Sequence, residues 1–476
     1  MREGLTFDDV LLQPRFSSII SRKEVNTKTR LTKNITINVP IVSANMDTVT
    51  ESGMAICMAE LGGMGIIHRF LTVEQQINEV IKVKRAHNFI IHDPYTIDIS
   101  QNIGDVKLSM RNKGIHSLLV VDSQKRLKGI VTTRDLLFED DDNVALETIM
   151  TSLEKLICKK VNHYSEVDFE DAKKILKTNK LEKLPLIDEQ GMIKGLITVK
   201  DIEKRLEFPN AVKDNNGRLM VGAAIGVKND YLERTAELVR VGVDVLVIDI
   251  AHGHSQSLLD TLYKIKSEFP HVDVIAGNVA TKHGTLDLIS AGADAIKCGV
   301  GPGGTCITRL VTGSGVPQLT AIMDCCETAT YKDIPVIADG GIKYSGDIVK
   351  ALAAGASSVM LGSLFAGCEE SPGHTRIKDG QKFKVYRGMA SYDAAASRTN
   401  TEKGYEINMT DYVPEGVETT IPYKGKVKEV MDQLVGGIRS GMSYLGVNEI
   451  EDMTKNADFI KMTAAGWHES KPHAQK

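Results

Sequence analysis

One cysteine, Cys306, closes a run of small residues in GVGPGGTCITR (299–309), and its neighbours limit what it can do. Glycine allows positive φ and lets backbone approach a ligand closely. Gly301, Gly303 and Gly304 therefore describe a loop able to cradle an anionic group beside the thiol. A thiol so placed is a nucleophile where the thiolate is favoured, and otherwise a small buried apolar residue. Thr308 adds a hydroxyl two residues on. Asp339, in ADGGI (338–342), has the chemistry to accept hydrogen bonds from two adjacent ribose hydroxyls. Gly362 and Ser363, in LGSLFAG (361–367), suit a phosphate gripped by backbone N–H groups. Phosphate plus ribose means a nucleotide. Glu415, beside Gly416 in VPEGVE (413–418), is either a solvated loop acid or a group that moves protons.

These residues need a frame, and the chain supplies one. From residue 219 onward, LMVGAAIG, DVLVIDIAHG, VDVIAGNVA, ADAIKCGVG, IPVIADGGI and SSVMLGS are nearly continuous apolar runs. Such runs are expected of parallel strands buried on both faces. Helical stretches such as DYLERTAELVRVG and GDIVKALAAG lie between them and end in glycine. VPIVSANMD and GGMGIIH, flanking ESGMAICMAELG, add two strands near the start. Six and two make the eight of a closed α/β barrel, whose active site forms at the C-terminal strand ends. Asp249, His252, Asn278, Gly301, Gly303, Asp339, Gly341, Gly362 and Ser363 all fall at such ends.

Between about 92 and 207 the chain repeats itself: LLVVDSQKRLKGIVTTRDL (118–136) aligns without gaps on LPLIDEQGMIKGLITVKDI (184–202). The expected division is therefore a barrel from 1–91 and 208–476, and a tandem module from 92–207 with halves near 92–147 and 148–207. Thr132, Arg134 and Asp135 match Thr198, Lys200 and Asp201. Each set is either a structural duplication or a nucleotide sensor. Residues 387–422, polar and weakly periodic, read as a mobile flap within the barrel domain.

Composition narrows the class further. With 58 basic and 62 acidic residues the net charge is −4, which gives no reason to expect a nucleic-acid partner. No apolar run approaches a membrane span, the N-terminus lacks a signal-peptide core, and HESKPHAQK carries no peroxisomal address. Seven cysteines without metal-type spacing fit a reduced, cytoplasmic chain.

The motifs GLTFDDVLLQP, NMDTVTE, VGAAIGV, IDIAHGHS, GVGPGGTCITR, GVPQ, IADGGI, MLGSLFAG, YRGM, VPEGVE and GGIRSGMSYLG resemble, in order, those of the IMP dehydrogenase/GMP reductase family. The repeat resembles the tandem cystathionine-β-synthase (CBS, or Bateman) pair inserted in many members. The implied fold is α/β, a (β/α)8 TIM barrel with that pair inserted. The implied chemistry is a covalent thioimidate between Cys306 and purine C2, with Thr308 and Glu415 in proton transfer. Gly304, Asp339, Gly341, Gly362, Ser363, Tyr386, Met389 and Gly416 would hold the nucleotide, and Asp249, His252 and Asn278 the nicotinamide cofactor. Carbonyls of Gly301, Gly303 and Cys306 would hold K+, together with those of Glu469, Ser470 and Lys471 from a neighbouring subunit. Purine nucleotides would occupy the CBS pair, and the assembly would be a homotetramer or, through the CBS modules, an octamer.

Family dehydrogenases activate water with an Arg-Tyr pair before VPEG. Here Lys403-Gly404 falls near that place, and Arg398 and Tyr405 stand apart. The family usually has Ser where this chain has Gly304, and Asn45 and IIHRF (66–70) also depart from the dehydrogenase pattern. The expectation is thus a GMP reductase that converts GMP and NADPH to IMP, ammonia and NADP+. The alternative is an IMP dehydrogenase using NAD+ and water to form XMP. A non-catalytic nucleotide-sensing regulator and a flavin-binding barrel are the readings from other classes.

Overall fold

The computed structural model describes residues 1–86, 90–91, 93–163, 167–399 and 412–472. Its contacts divide the chain into two units, one of residues 1–86 with 210–476 and one of 87–209.

The first unit is a closed eight-stranded barrel, with β1 Ile41–Ser43, β2 Met64–Ile67, β3 Gly222–Ile225, β4 Val245–Asp249, β5 Asp273–Val279, β6 Ala295–Cys298, β7 Val336–Asp339 and β8 Ser358–Leu361. Every pairing is parallel, and β8 closes onto β1 through Val359↔Ile41 and Met360↔Val42. Alternation along each strand sends side chains to opposite faces. Val42, Met64, Ala224, Val247, Ile275, Ala295, Ile337 and Met360 form one buried apolar cluster. Ile41, Ile67, Ala223, Leu246, Val274, Ile296, Ala338 and Val359 belong to another, with helix residues such as Leu262 and Ile348. The apolar runs are continuous because each face meets a different part of the core. A short hairpin, Thr29–Arg30 with Thr36–Ile37, adds Leu31 and Ile37 to the first cluster.

The outer layer holds α1 Ser52–Glu60, α2 Val73–Ala86, α3 Tyr231–Arg240, α4 Gln256–Glu268, α5 Lys282–Ser290, the one-turn α6 Thr308–Thr312, α7 Gln318–Thr330, α8 Ser345–Ala353 and the short α9 Ser363–Ala366. After the barrel come β9 Thr375–Lys378, β10 Gln381–Arg387, α10 Tyr392–Thr399, β11 Glu418–Pro422 and the long α11 Val427–Leu445. β9, β10 and β11 form an antiparallel sheet, with Arg387 opposite Glu418. α11 packs on α8, where a Cβ at Gly437 would meet Ser345 at 2.2 Å and one at Gly441 would meet Val349 at 2.5 Å. Those two glycines set the distance between the helices.

In the second unit, strands Ser117–Val121 and Leu127–Thr132 pair antiparallel, as do Lys183–Ile187 and Ile193–Thr198. Both pairs carry a register shift at the matching place, Val120/Val121 and Leu186/Ile187. In both halves the Thr backbone N–H and hydroxyl donate to one aspartate oxygen, Thr132 to Asp135 and Thr198 to Asp201. The halves then diverge. Thr198 caps helix Val199–Glu207, whereas only turns follow Thr132. Among the described residues no helix is long and apolar enough to cross a membrane, and all seven cysteines are free thiols.

Candidate active site

At the C-terminal ends of the strands lies a cavity of about 770 Å3. Asp249, Asn278, Gly301, Gly303, Gly304, Cys306, Thr308, Asp339, Gly341, Gly362, Ser363, Tyr386, Met389, Glu415 and Gly416 all line it. Residues spread over 168 positions of sequence thus meet in one space, because parallel strands all deliver their C-terminal ends to the same rim. His252 does not join them. Gly253 packs against Gly277 and Asn278, leaving about 2.8 Å to the nearest atoms for a Cβ, and the chain turns His252 outward into solvent. Glu469, Ser470 and Lys471 are not part of the cavity either, since the helix that carries Glu469 packs beside residues 7–9. Residues 400–411, with Lys403, Gly404 and Tyr405, lie outside the described residues.

The nucleophile loop is held by backbone. Cys306 N–H donates to the Gly303 carbonyl (3.0 Å), Ile307 N–H to the Glu415 carbonyl (2.8 Å) and Val417 N–H to the Thr305 carbonyl (2.9 Å). Glu415 N–H in turn donates to Ala390 (3.0 Å), and Cys306 and Gly416 form an isolated antiparallel bridge. These bonds bring half-buried Glu415 beside the cysteine loop, although 108 residues separate them in sequence. The Cys306 thiol donates to the Thr308 hydroxyl at 3.1 Å. Thiol and hydroxyl are thus in contact, and Glu415 lines the same cavity. Burial pushes the Tyr386 phenol up to about 12, with the negative charge of Asp339 adding to the effect. Its hydroxyl stays protonated, as a hydrogen-bond donor to a ligand must.

Lys297 organises the floor. Its side chain is 2% exposed, and its ammonium donates to Asp249 Oδ1 (2.6 Å), Asp339 Oδ2 (2.8 Å) and Asn278 Oδ1. Asn45 Nδ2 donates to Asp249 Oδ2 (2.8 Å), and Asn278 Nδ2 donates to Asp339 Oδ2 (2.9 Å) and the Gly299 carbonyl (2.8 Å). Burial works against the Asp249 carboxylate, but the Lys297 ammonium outweighs it, and the Asn45 amide and Arg69 charge add to it. The carboxyl titrates below its ordinary range. Lys297 is raised above the ordinary lysine value because its two carboxylate partners outweigh burial. Sequence reasoning assigned Lys297 no role. The available signal was alternation: Ala295 belongs to the cluster inside the strands and Ile296 to the outer one, so Lys297 faces inward.

Gln318, Arg309 and Arg387 were also missed. Gln318 Nε2 spans the carbonyls of Cys298 (3.1 Å) and Asp339 (3.0 Å), tying the ends of β6 and β7 together. The Arg309 guanidinium donates to Val300 (3.2 Å) and Val316 (2.5 Å). A Cβ at Gly301 or Gly315 would meet its side chain at 2.6 or 2.7 Å, so both glycines make room for it. A Cβ at Gly304, by contrast, would meet nothing within 4 Å.

The structure is a parallel (β/α) barrel with Cys306 on a loop at a cavity lined by Asp339, Gly362 and Ser363, the layout of a barrel enzyme with its site at the C-terminal strand ends. The comparisons agree. The IMP dehydrogenase / GMP reductase domain matches residues 4–473. The chain is 54% identical over 475 residues to inosine-5′-monophosphate dehydrogenase from Nitrosopumilus maritimus, covering 99% of this chain and 98% of that one. It is 51% identical to the enzyme of the same name from Aquifex aeolicus, over 99% and 96% of the two chains. Among solved structures, GMP reductase from Trypanosoma brucei in complex with guanosine 5′-monophosphate superimposes with a TM-score of 0.91 at 43% identity, covering 99% of this chain and 98% of that one. The chain belongs to the IMP dehydrogenase/GMP reductase family and is a nicotinamide-dependent oxidoreductase.

The reductase expectation is overturned. The full-length relatives more similar in sequence than that reductase are named as dehydrogenases. The expectation of NADPH falls with it. Both rested on local departures, the missing Arg-Tyr pair with Asn45 and IIHRF, and these weigh less than identity along the whole chain.

Proposed function

We propose that this chain is an IMP dehydrogenase, oxidising IMP to XMP with NAD+ as hydride acceptor. The observation that carries the reading is the 54% identity to a dehydrogenase along 99% of the chain, joined to a wall that holds Cys306, Thr308 and Glu415 together. The cavity volume lies in the range of small-molecule sites.

The Cys306 sulfur forms a bond to purine C2, and C2 gives up its hydride; Asp249 and Asn278 would hold the nicotinamide cofactor that accepts it. NAD+ supplies a two-electron acceptor in this step and no more. Water then adds to the resulting thioimidate carbon, the C–S bond breaks, and XMP leaves with the thiol restored. Thr308, 3.1 Å from the sulfur, relays the proton between thiol and water, and Glu415 takes it up. Asp339 accepts the ribose hydroxyls. Gly341, Gly362, Ser363 and Tyr386 hold the phosphate, with Gly304 giving a backbone N–H where the family's serine would add a hydroxyl. Met389 and Gly416 flank the base, and Asp249 and Asn278 face the nicotinamide. Thioimidate hydrolysis is carried by Thr308 of the cysteine loop and Glu415 of the flap.

Backbone carbonyls are hard oxygen ligands suited to a monovalent cation. Gly301, Gly303 and Cys306 present them in one loop, and the Gly303 oxygen spends only one acceptor site on Cys306 N–H. We propose that they hold K+ with the carbonyls of Glu469, Ser470 and Lys471 of the partner subunit in a tetramer. The 87–209 unit is proposed as the CBS pair, taking purine nucleotides at Thr132, Arg134 and Asp135 and at Thr198, Lys200 and Asp201. Its two halves share the Thr–Asp geometry but not the following helix, so their affinities should differ. The test of the reaction is absorbance at 340 nm with IMP, NAD+ and KCl. A sustained rise with XMP formed supports the reading, and no rise under any potassium concentration overturns it.

A further inference from the structure

Arg387 and Asp47, 340 residues apart, form a half-buried ion pair at the foot of the segment that carries α10. Arg387 Nε donates to Asp47 Oδ2 at 2.9 Å, and Nη2 reaches the same oxygen. Nη2 also donates to the Ser397 hydroxyl of α10 at 3.2 Å. Asp47 is 7% exposed, and its other oxygen, Oδ1, is buried with no hydrogen-bond partner. A buried carboxylate oxygen left unpaired costs stability, so folding alone would not select this placement.

The chain neighbours of the pair explain what it is for. Met46 precedes Asp47 and Tyr386 precedes Arg387. The Tyr386 hydroxyl contacts Met46 Sδ at 3.7 Å. Both crowd Gly362, where a Cβ would lie 3.0 Å from the hydroxyl and 3.1 Å from the sulfur. The same two backbone steps thus touch the phosphate loop on one side and grip α10 on the other. α10 in turn contributes Ala395 and Arg398 to the cavity wall. The Arg398 guanidinium sits over the Phe70 ring at 5.3 Å, and Arg69 lies over that ring at 5.1 Å. Arg69 also acts on Asp249 by its charge, so this wall is the one facing the nicotinamide side.

We propose that Asp47 and Arg387 are a positioning pair that couples nucleotide occupancy at Gly362–Ser363 to the placement of α10 on the cofactor side. The proposal rests on the nucleotide and cofactor assignments made above. Nucleotide phosphate fixes Met46 and Tyr386, their neighbours fix the guanidinium, and the guanidinium fixes Ser397 and with it Arg398. Coupling between two ligand sites commonly amounts to about 5- to 150-fold in affinity. Losing it leaves each ligand's affinity for the free protein in place and removes the gain that each gives the other.

The test uses full-length R387Q, D47N and S397A, the last a mild change at the far end of the link. In R387Q and D47N the Kd of IMP for the free enzyme should stay within about threefold, while the roughly tenfold tightening that saturating IMP gives to NAD+ binding should be lost, and S397A should show the same loss more weakly. IMP should slow tryptic cleavage after Arg398 in the wild type and fail to do so in R387Q. A comparable weakening of IMP binding to the free enzyme, or an unchanged tightening of NAD+ by IMP with IMP protection intact, overturns the coupling. Failure of the parent assignment reads out separately in the wild type, as the failure of IMP to protect Cys306 from iodoacetamide.

Discussion

Replacing Lys297 by Met tests the floor of the site most severely. The substitution keeps a long, unbranched side chain and removes an ammonium that is 2% exposed and bonded to Asp249, Asp339 and Asn278. What remains is two carboxylates with no cation between them. Breaking a buried pair by deleting one partner costs about 3–5 kcal/mol. Asp249 and Asp339 are about one-fifth exposed, so water relieves part of this and the lower figure applies. About 3 kcal/mol taken from the geometry proposed to bind ribose and nicotinamide corresponds to roughly 150-fold in kcat/KM. The pH dependence carries a sign. Asp249 titrates below its ordinary range, so its contribution is complete above about pH 4, the unfolded carboxylate value, and is lost as pH falls through its lowered native value. Lys297 is raised, so its contribution is complete below about pH 10.4 and is lost only above that. Wild-type kcat/KM should therefore show no step from this network between those limits. In K297M only the Asn45 amide and the Arg69 charge still oppose burial at Asp249, and the acid limb should move upward. The assay is kcat/KM for IMP from pH 5 to 9, with K297R as the charge-retaining control. A K297M enzyme within threefold of wild type, with an unmoved acid limb, would refute the role given to Lys297.

Adding the family's serine by G304S should lower the nucleotide KM about tenfold, since a hydrogen bond to a charged group contributes about 1.5 kcal/mol and the Cβ meets no neighbour. An unchanged or higher KM in steady-state kinetics would count against a phosphate at this loop. Arg234 is 2% exposed and bonded to Asp230, Gln76 and the Leu71 carbonyl. R234M should lose about 3–5 kcal/mol of stability, read as a lower urea midpoint, and a midpoint equal to wild type would contradict this. C306A should abolish turnover and leave nucleotide binding by calorimetry within about threefold, because Cys306 enters through a covalent bond that forms after binding. Residual turnover above a hundredth of wild type would remove Cys306 as the nucleophile.

The strands were legible because burial on both faces writes a nearly unbroken apolar run, and DVLVIDI or VDVIAGNV admits little else. The site was legible where Gly, Asp and Cys follow such runs at the rim. α7 was not: Leu319, Ala321, Ile322, Cys325, Cys326 and Ala329 are buried together with Gln318 and Asp324, and the segment shows no clean polar face to set a helical period. Lys297 reads as a stray charge in ADAIKCGVG until its neighbours are placed inside and outside the barrel. His252 failed in the opposite sense, since position at a strand end does not fix which way a side chain leaves the backbone. The Asp47–Arg387 contact spans 340 residues, and nothing local in either segment announces it. The choice between reductase and dehydrogenase failed because a few local departures (the flap pair, Asn45 and IIHRF) were weighed above the pattern of the whole chain.

The central claim is the direction of hydride flow. Purified protein with IMP, NAD+ and KCl, and separately with GMP and NADPH, should be followed at 340 nm. The account predicts a sustained rise in the first cuvette, with XMP formed, and no change in the second. A flat first cuvette with a fall in the second and ammonia released would contradict it.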